Sequence, residues 1–170
     1  MTQKMGFYVL KSDKLAKEIS ALWPLLEVAA AVIARRDRIL AVYNERWGSF
    51  TLPMTKRRIW EDPKAGKDSA RIEDWEEAAV RAAVEWLGRT ITQPPRLLLD
   101  FAEFQQSDRD EKWKRYHVQA YRFDIDDGWT LPPTRIVEWL PPADVVDERR
   151  RPISPTARHI VAELIASGKL

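Results

Sequence analysis

The chain has 170 residues, 45% hydrophobic and 32% charged, and its 28 basic and 26 acidic side chains leave a formal charge of +2. That composition describes one soluble globular domain long enough to bury a core, and excludes a disordered or fibrous chain. Cysteine is absent, so neither a disulfide framework nor Cys-ligated zinc can form, and His117 and His159 alone are too few for a His-rich metal site.

In chain order, MTQKMGFYVLKSDK lacks the apolar core of a secretion signal. The longest apolar run, VAAAVIA at 28–34, is too short to span a bilayer, so no membrane partner and a cytoplasmic location are expected. Residues 1–22 read as an N-terminal appendage to a domain at 23–170. In it FYVL is a candidate dimerisation strand for a homodimer, and Ser12 or Asp13 caps a short helix. After Pro24, LLEVAAAVIA suits a buried strand, RRDR at 35–38 a turn, and ILAVYNE the returning strand of a hairpin.

WGSFTLP then leads into residues 54–72, which carry six basic side chains and no periodicity, and read as a loop. A helix follows over about 74–87. Asp74 and Glu77 stand as a capping box, alanines recur at helical spacing, and Gly88 is placed to end it. RLLLDFAEF and RYHVQAYRFDI are strand-like, joined by the exposed hairpin loop QQSDRDEKWK, and TRIVEWL is a further short strand. The last helix has Ser154 as N-cap, Pro155 at its first position and Gly168 at its end. The fold class is therefore α/β (α+β), a mixed β-sheet with helices on its faces.

With the 74–87 helix placed, the stretch resembles the box of the Nudix hydrolases, G-x5-E-x7-R-E-U-x-E-E-x-G-U, where U is bulky and apolar. Glu73, Arg81, Glu85 and Gly88 match. WGSFTLP is similar to the segment leading into the box, VEWLPPADV to one near the domain's end, and SPTARHIVAEL to the last helix. The resemblance covers about residues 25–167 and implies an α/β/α sandwich that cleaves nucleoside diphosphates linked to another moiety, with Mg²⁺ as cofactor.

The departures lie at the metal. Ala82 and Trp86 stand where the family has glutamates, Met54 and Thr55 replace a glycine pair, and Lys67 takes the box glycine. Positions 82, 85 and 86 share a helix face, so the trio that would hold Mg²⁺ reads Ala, Glu, Trp. If the reaction persists, the resemblance makes Glu85, Glu73 and Arg81 the catalytic set, with Glu85 and Glu77 as metal carboxylates and the acids of the 107–111 loop as substitutes. In the family, the equivalents of Glu73 and Arg81 brace the box. The spacing of Glu77, Arg81 and Glu85 also permits simple i,i+4 ion pairing.

The substitutions fit a metal-free pocket as well. Trp86 offers a stacking face, and Lys56, Arg57 and Arg58 offer fixed cations for a phosphate. Against that, Trp86 would serve as core packing and the basic run as a solvated loop. Three functions are carried forward: a nucleotide-diphosphate or phosphate-anion binding or regulatory domain with a degraded site; an active hydrolase with a rearranged Mg²⁺ site; and a nucleic-acid binder using RRDR, KRR and RRR at 149–151. His117, His159, Ser49, Ser69 and Ser154 have no triad spacing and read as structural.

Overall fold

The computed structural model describes residues 25–60, 71–106 and 112–170. The N-terminal appendage, residues 61–70 with Lys67 and Ser69, and the acids at 107–111 lie outside them. The strands are β1 (Leu25–Arg35), β2 (Arg38–Asn44), β3 (Ser49–Thr51), β4 (Met54–Lys56), β5 (Ile59–Trp60), β6 (Arg71–Ile72), β7 (Arg96–Gln106), β8 (Trp113–Asp124) and β9 (Val137–Leu140). The helices are α1 (Trp75–Leu87), α2 (Pro142–Val146) and α3 (Pro155–Ala166).

The main sheet runs β3-β2-β1-β8-β7, with β4 also paired to β1 and β9 to β2. It is mixed: β1 and β8 are parallel, from Leu25↔Arg115 to Ala34↔Asp124, whereas β7 and β8 form an antiparallel hairpin. β1 reads as a continuous apolar run because both its faces are covered. Ala29, Ala31 and Ile33 point to α1, while Ala30 and Val32 point to the cluster containing Ile160, Val161 and Leu164 of α3. The small side chains on both sides of that first seam let α1 approach the sheet closely, with Ala78, Ala79, Ala82 and Ala83 all at most 1% exposed.

Helix ends follow their sequence signals. Asp74 and Glu77 form the capping box, and Gly88 closes α1 in the left-handed region at φ 68°. A side chain there would also collide with the strap that follows β8, since a Cβ would lie 2.8 Å from Pro132 Cγ. Ser154 accepts from the Ala157 amide, and α3 ends at Ala166, two residues before the left-handed Gly168.

Three expectations need correction. The 54–72 segment contains β4, β5 and β6 rather than being all loop; these strands are two or three residues long, too short to show periodicity. The first hairpin turn is tighter than RRDR suggests, because Arg35 and Arg38 pair across it and only Arg36 and Asp37 lie between. Arg36 takes a positive φ of 55° there. The helix α2 was not apparent in PPADVV, one turn started by prolines.

β7 is the sheet's outer strand among the described residues. Its edge is interrupted by an irregularity at Leu97/Leu99 and by Lys169, whose ammonium donates to the Leu98 carbonyl. Both are ways of blunting an edge against unwanted pairing.

Candidate functional site

The box loop and helix converge on Arg81. Its Nε and Nη2 donate to the two carboxylate oxygens of Glu73 at 2.8 Å each, Nη1 donates to Thr55 Oγ1 at 2.7 Å, and Nη2 also reaches the Lys56 carbonyl at 2.8 Å. Glu73 Oε2 in addition accepts from the Arg58 amide at 2.8 Å. Only 2% of Glu73 is exposed. Its hydrogen bond from Arg81, ahead of the opposing effect of burial, holds its carboxyl below the usual carboxylate range, and the same bond raises Arg81. A bidentate pair of this kind ties β4, the chain before α1 and the middle of α1 into one unit. Arg81 therefore pairs with Glu73, eight residues back, and not with Glu77 and Glu85 through i,i+4 contacts. Glu77 instead accepts from the Asp74 amide at 3.3 Å, and Glu85 acts on Arg81 only through its charge.

The three positions that would face a metal are separated in environment. Ala82 is buried in the helix–sheet seam, Glu85 is exposed, and Trp86 is half-buried with the Arg135 guanidinium 4.7 Å from its ring centre. Arg135 also donates to the Glu85 carbonyl at 3.4 Å, and Trp129 Nε1 to the Leu87 carbonyl at 3.5 Å. With no basic residue in α1's last turn, these donors from the 125–136 strap serve its carbonyl end. The stacking face expected of Trp86 thus carries a guanidinium. Mg²⁺ needs several oxygens in near-octahedral array. Among the described residues no three His, Asp or Glu side chains are grouped to hold an ion. A single exposed glutamate beside a buried alanine does not fit one.

The basic run divides. Arg57 is committed: Nη1 pairs with Glu27 at 2.9 Å, Nε donates to the Glu73 carbonyl at 2.8 Å, and its guanidinium lies 4.5 Å from the Trp75 ring centre. Those contacts engage two of its three guanidinium nitrogens within the fold. Lys56 and Arg58 are exposed beside it. The other basic runs are largely occupied by acids and rings. Arg149, Arg150 and Arg151 pair with Asp147, Asp144 and Glu138, Arg36 pairs with Asp127, and Arg35 lies over Trp139. Pairing of this sort leaves little net positive field for a nucleic acid.

An array missed in the sequence lies beside the N-terminus of α1. His117 Nε2 is 2.7 Å from Asp100 Oδ1, Gln119 donates to Asp100 Oδ2 at 2.9 Å, and the Tyr121 hydroxyl donates to Gln119 Oε1 at 2.6 Å. Burial, then the charges of Glu76 and Asp100, raise Tyr121 above its ordinary pKa. Trp75 meets His117 edge-on at 4.8 Å. Only the period-2 spacing of His117, Gln119 and Tyr121 hinted at a shared face; Asp100 arrives through the β7–β8 register. His159 packs edge-on against Phe101 and its pKa is lowered by burial, while the Ser154 hydroxyl donates to Thr51 Oγ1.

This architecture, two helical layers on a mixed sheet with a loop–helix braced by a Glu–Arg pair, is the fold of the Nudix hydrolases. Among solved structures, a MutT protein from Methanosarcina mazei superposes with a TM-score of 0.59 at 15% identity, over 87% of this chain and 98% of its own. A MutT Nudix hydrolase from Burkholderia pseudomallei gives 0.57 at 19%, over 81% and 96%. A C. elegans Ap4A hydrolase in a binary complex gives 0.54 at 17%, over 83% and 96%. No family model and no curated protein sequence matches the chain. Among the described residues no helix is long and apolar enough to cross a membrane.

Proposed function

We propose that this is a Nudix-fold binding or regulatory domain for a nucleotide diphosphate or a related phosphate anion, acting in the cytoplasm with little or no pyrophosphohydrolase activity. The observation that carries this reading is the fate of the helix face 82, 85 and 86: a buried alanine, one exposed carboxylate and a tryptophan under a guanidinium. The brace that shapes the loop survives in Glu73 and Arg81, while the charge needed to hold Mg²⁺ against a polyphosphate does not. Lys56 at the end of β4 and Arg58 just after it, both exposed beside the contacts that Arg81 makes, are the cations offered to a phosphate. The ligand class is drawn from the fold and from the Ap4A hydrolase among its structural neighbours.

Calorimetry with ADP-ribose and with ADP, in EDTA and then in Mg²⁺, tests the proposal. Binding unaltered by EDTA, weakened by Lys56→Ala together with Arg58→Ala and accompanied by no product release, is expected. Metal-dependent turnover abolished by Glu85→Gln would instead establish an active hydrolase.

A further inference from the structure

Away from the box, the paired ends of β7 and β8 place two arginines opposite one another: Arg96 on β7 is the cross-strand partner of Arg122 on β8. Like charges directly opposite in an antiparallel pair repel, and this pair is only partly neutralised. Arg122 Nε donates to Asp124 Oδ1 at 2.8 Å, and its Nη1 to the Lys169 carbonyl at 3.3 Å. The guanidinium is held in one orientation by those two bonds, with its side chain 21% exposed. Arg96 has no carboxylate partner among the described residues.

Both arginines line a partly open cavity of about 130 Å³, together with Gln93, Asp124 and the apolar Ile91, Pro94 and Phe123. That volume equals about four waters at ~30 Å³ each, room for one tetrahedral oxyanion. The two guanidiniums and the Gln93 amide N–H groups supply donors for such an ion, and although Asp124 also lines the cavity its single charge leaves the two arginines one positive charge in excess.

We propose that the Arg96–Arg122 cavity is a phosphate-binding site, separate from the box. It lies four residues along β8 from Val118, whose β1 partner Val28 pairs with Lys56, which is about 13 Å of strand. A phosphate here bridges the two guanidiniums, removes their repulsion and fastens the open ends of β7 and β8 together.

The test follows thermal unfolding of the full chain in EDTA as inorganic phosphate replaces chloride at constant ionic strength, beside a titration of the arginine Nε–H and glutamine side-chain amide resonances. The expected result is a phosphate-dependent rise in Tm, with shifts at Arg96, Arg122 and Gln93. Arg96→Gln should weaken phosphate at least about tenfold, the loss of one charged donor pair, and should itself raise Tm in chloride. Lys56→Ala with Arg58→Ala should leave the effect intact. A response equal in Arg96→Gln and the wild type, one lost only with Lys56 and Arg58, or none at all would each overturn the assignment, whatever nucleotides do at the box.

Discussion

Glu103 on β7 gives the sharpest test of the packing described above. It is 9% exposed beneath the start of α3, and its Oε1 has no hydrogen-bond partner. Burial pushes its pKa from 4.5 up to about 6. A carboxyl that holds its proton more tightly when folded stabilises the protein below pH 4.5, and that stabilisation is lost as the pH rises to 6 and beyond, where the buried group is charged. The difference between 4.5 and about 6 corresponds to about 2 kcal/mol. Glu103→Gln keeps the side chain's shape and removes the charge, so the variant should gain about 2 kcal/mol relative to wild type between pH 4.5 and pH 8. For a chain of 170 residues this is roughly 4–8 °C in Tm. Urea unfolding of both proteins at pH 4.5, 6 and 8 measures it. A difference that stays constant across that range would refute the account, because only titration of Glu103 makes the gap depend on pH.

Other outcomes follow from the same contacts. Arg81→Met leaves the buried Glu73 carboxylate without its partner and should cost about 3–5 kcal/mol by denaturant unfolding; Glu73→Gln with Arg81→Met together should cost less than the sum of the two. Because Glu73 is held below the usual carboxylate range, its contribution is present above pH 4.5 and is lost as the pH falls through its folded value, which a wild-type minus Glu73→Gln comparison in acid will register. Gly88→Ala forces a side chain into the left-handed region and against Pro132, and a loss of about 1–3 kcal/mol in chemical melts is expected. Trp86→Ala removes the seat of Arg135, and faster amide exchange in the 125–136 strap, with the Glu73–Arg81 brace unaffected, is the expected signature.

Local signals made the helices legible. Asp74 with Glu77, Gly88, and Ser154 with Pro155 each act within one turn of chain, and they stop α1 and α3 within a residue or two of where expected. β1, β2, β7 and β8 were legible because each is long enough to show a pattern. The site was legible only in part. The E-x7-R spacing exposed the Glu73–Arg81 brace. Arg57 could not be sorted from Lys56 and Arg58, since its partners Glu27 and Trp75 lie 30 and 18 positions away. Nor could the Asp100–His117 contact or the opposed Arg96 and Arg122 be seen, since both depend on a strand register that includes an irregularity at Leu97/Leu99. Interactions that depend on where two distant segments come to rest leave no periodic trace in a single sequence.

The alanine seam between α1 and β1 has a further consequence. Residue 82 is wedged among methyl groups with 1% of its surface reaching water, so a glutamate installed there must either drag a charge into the interior or lever the helix off its floor. An acidic side chain at this position would need the seam rebuilt around it, and the very closeness that gives this helix its hold would resist the change.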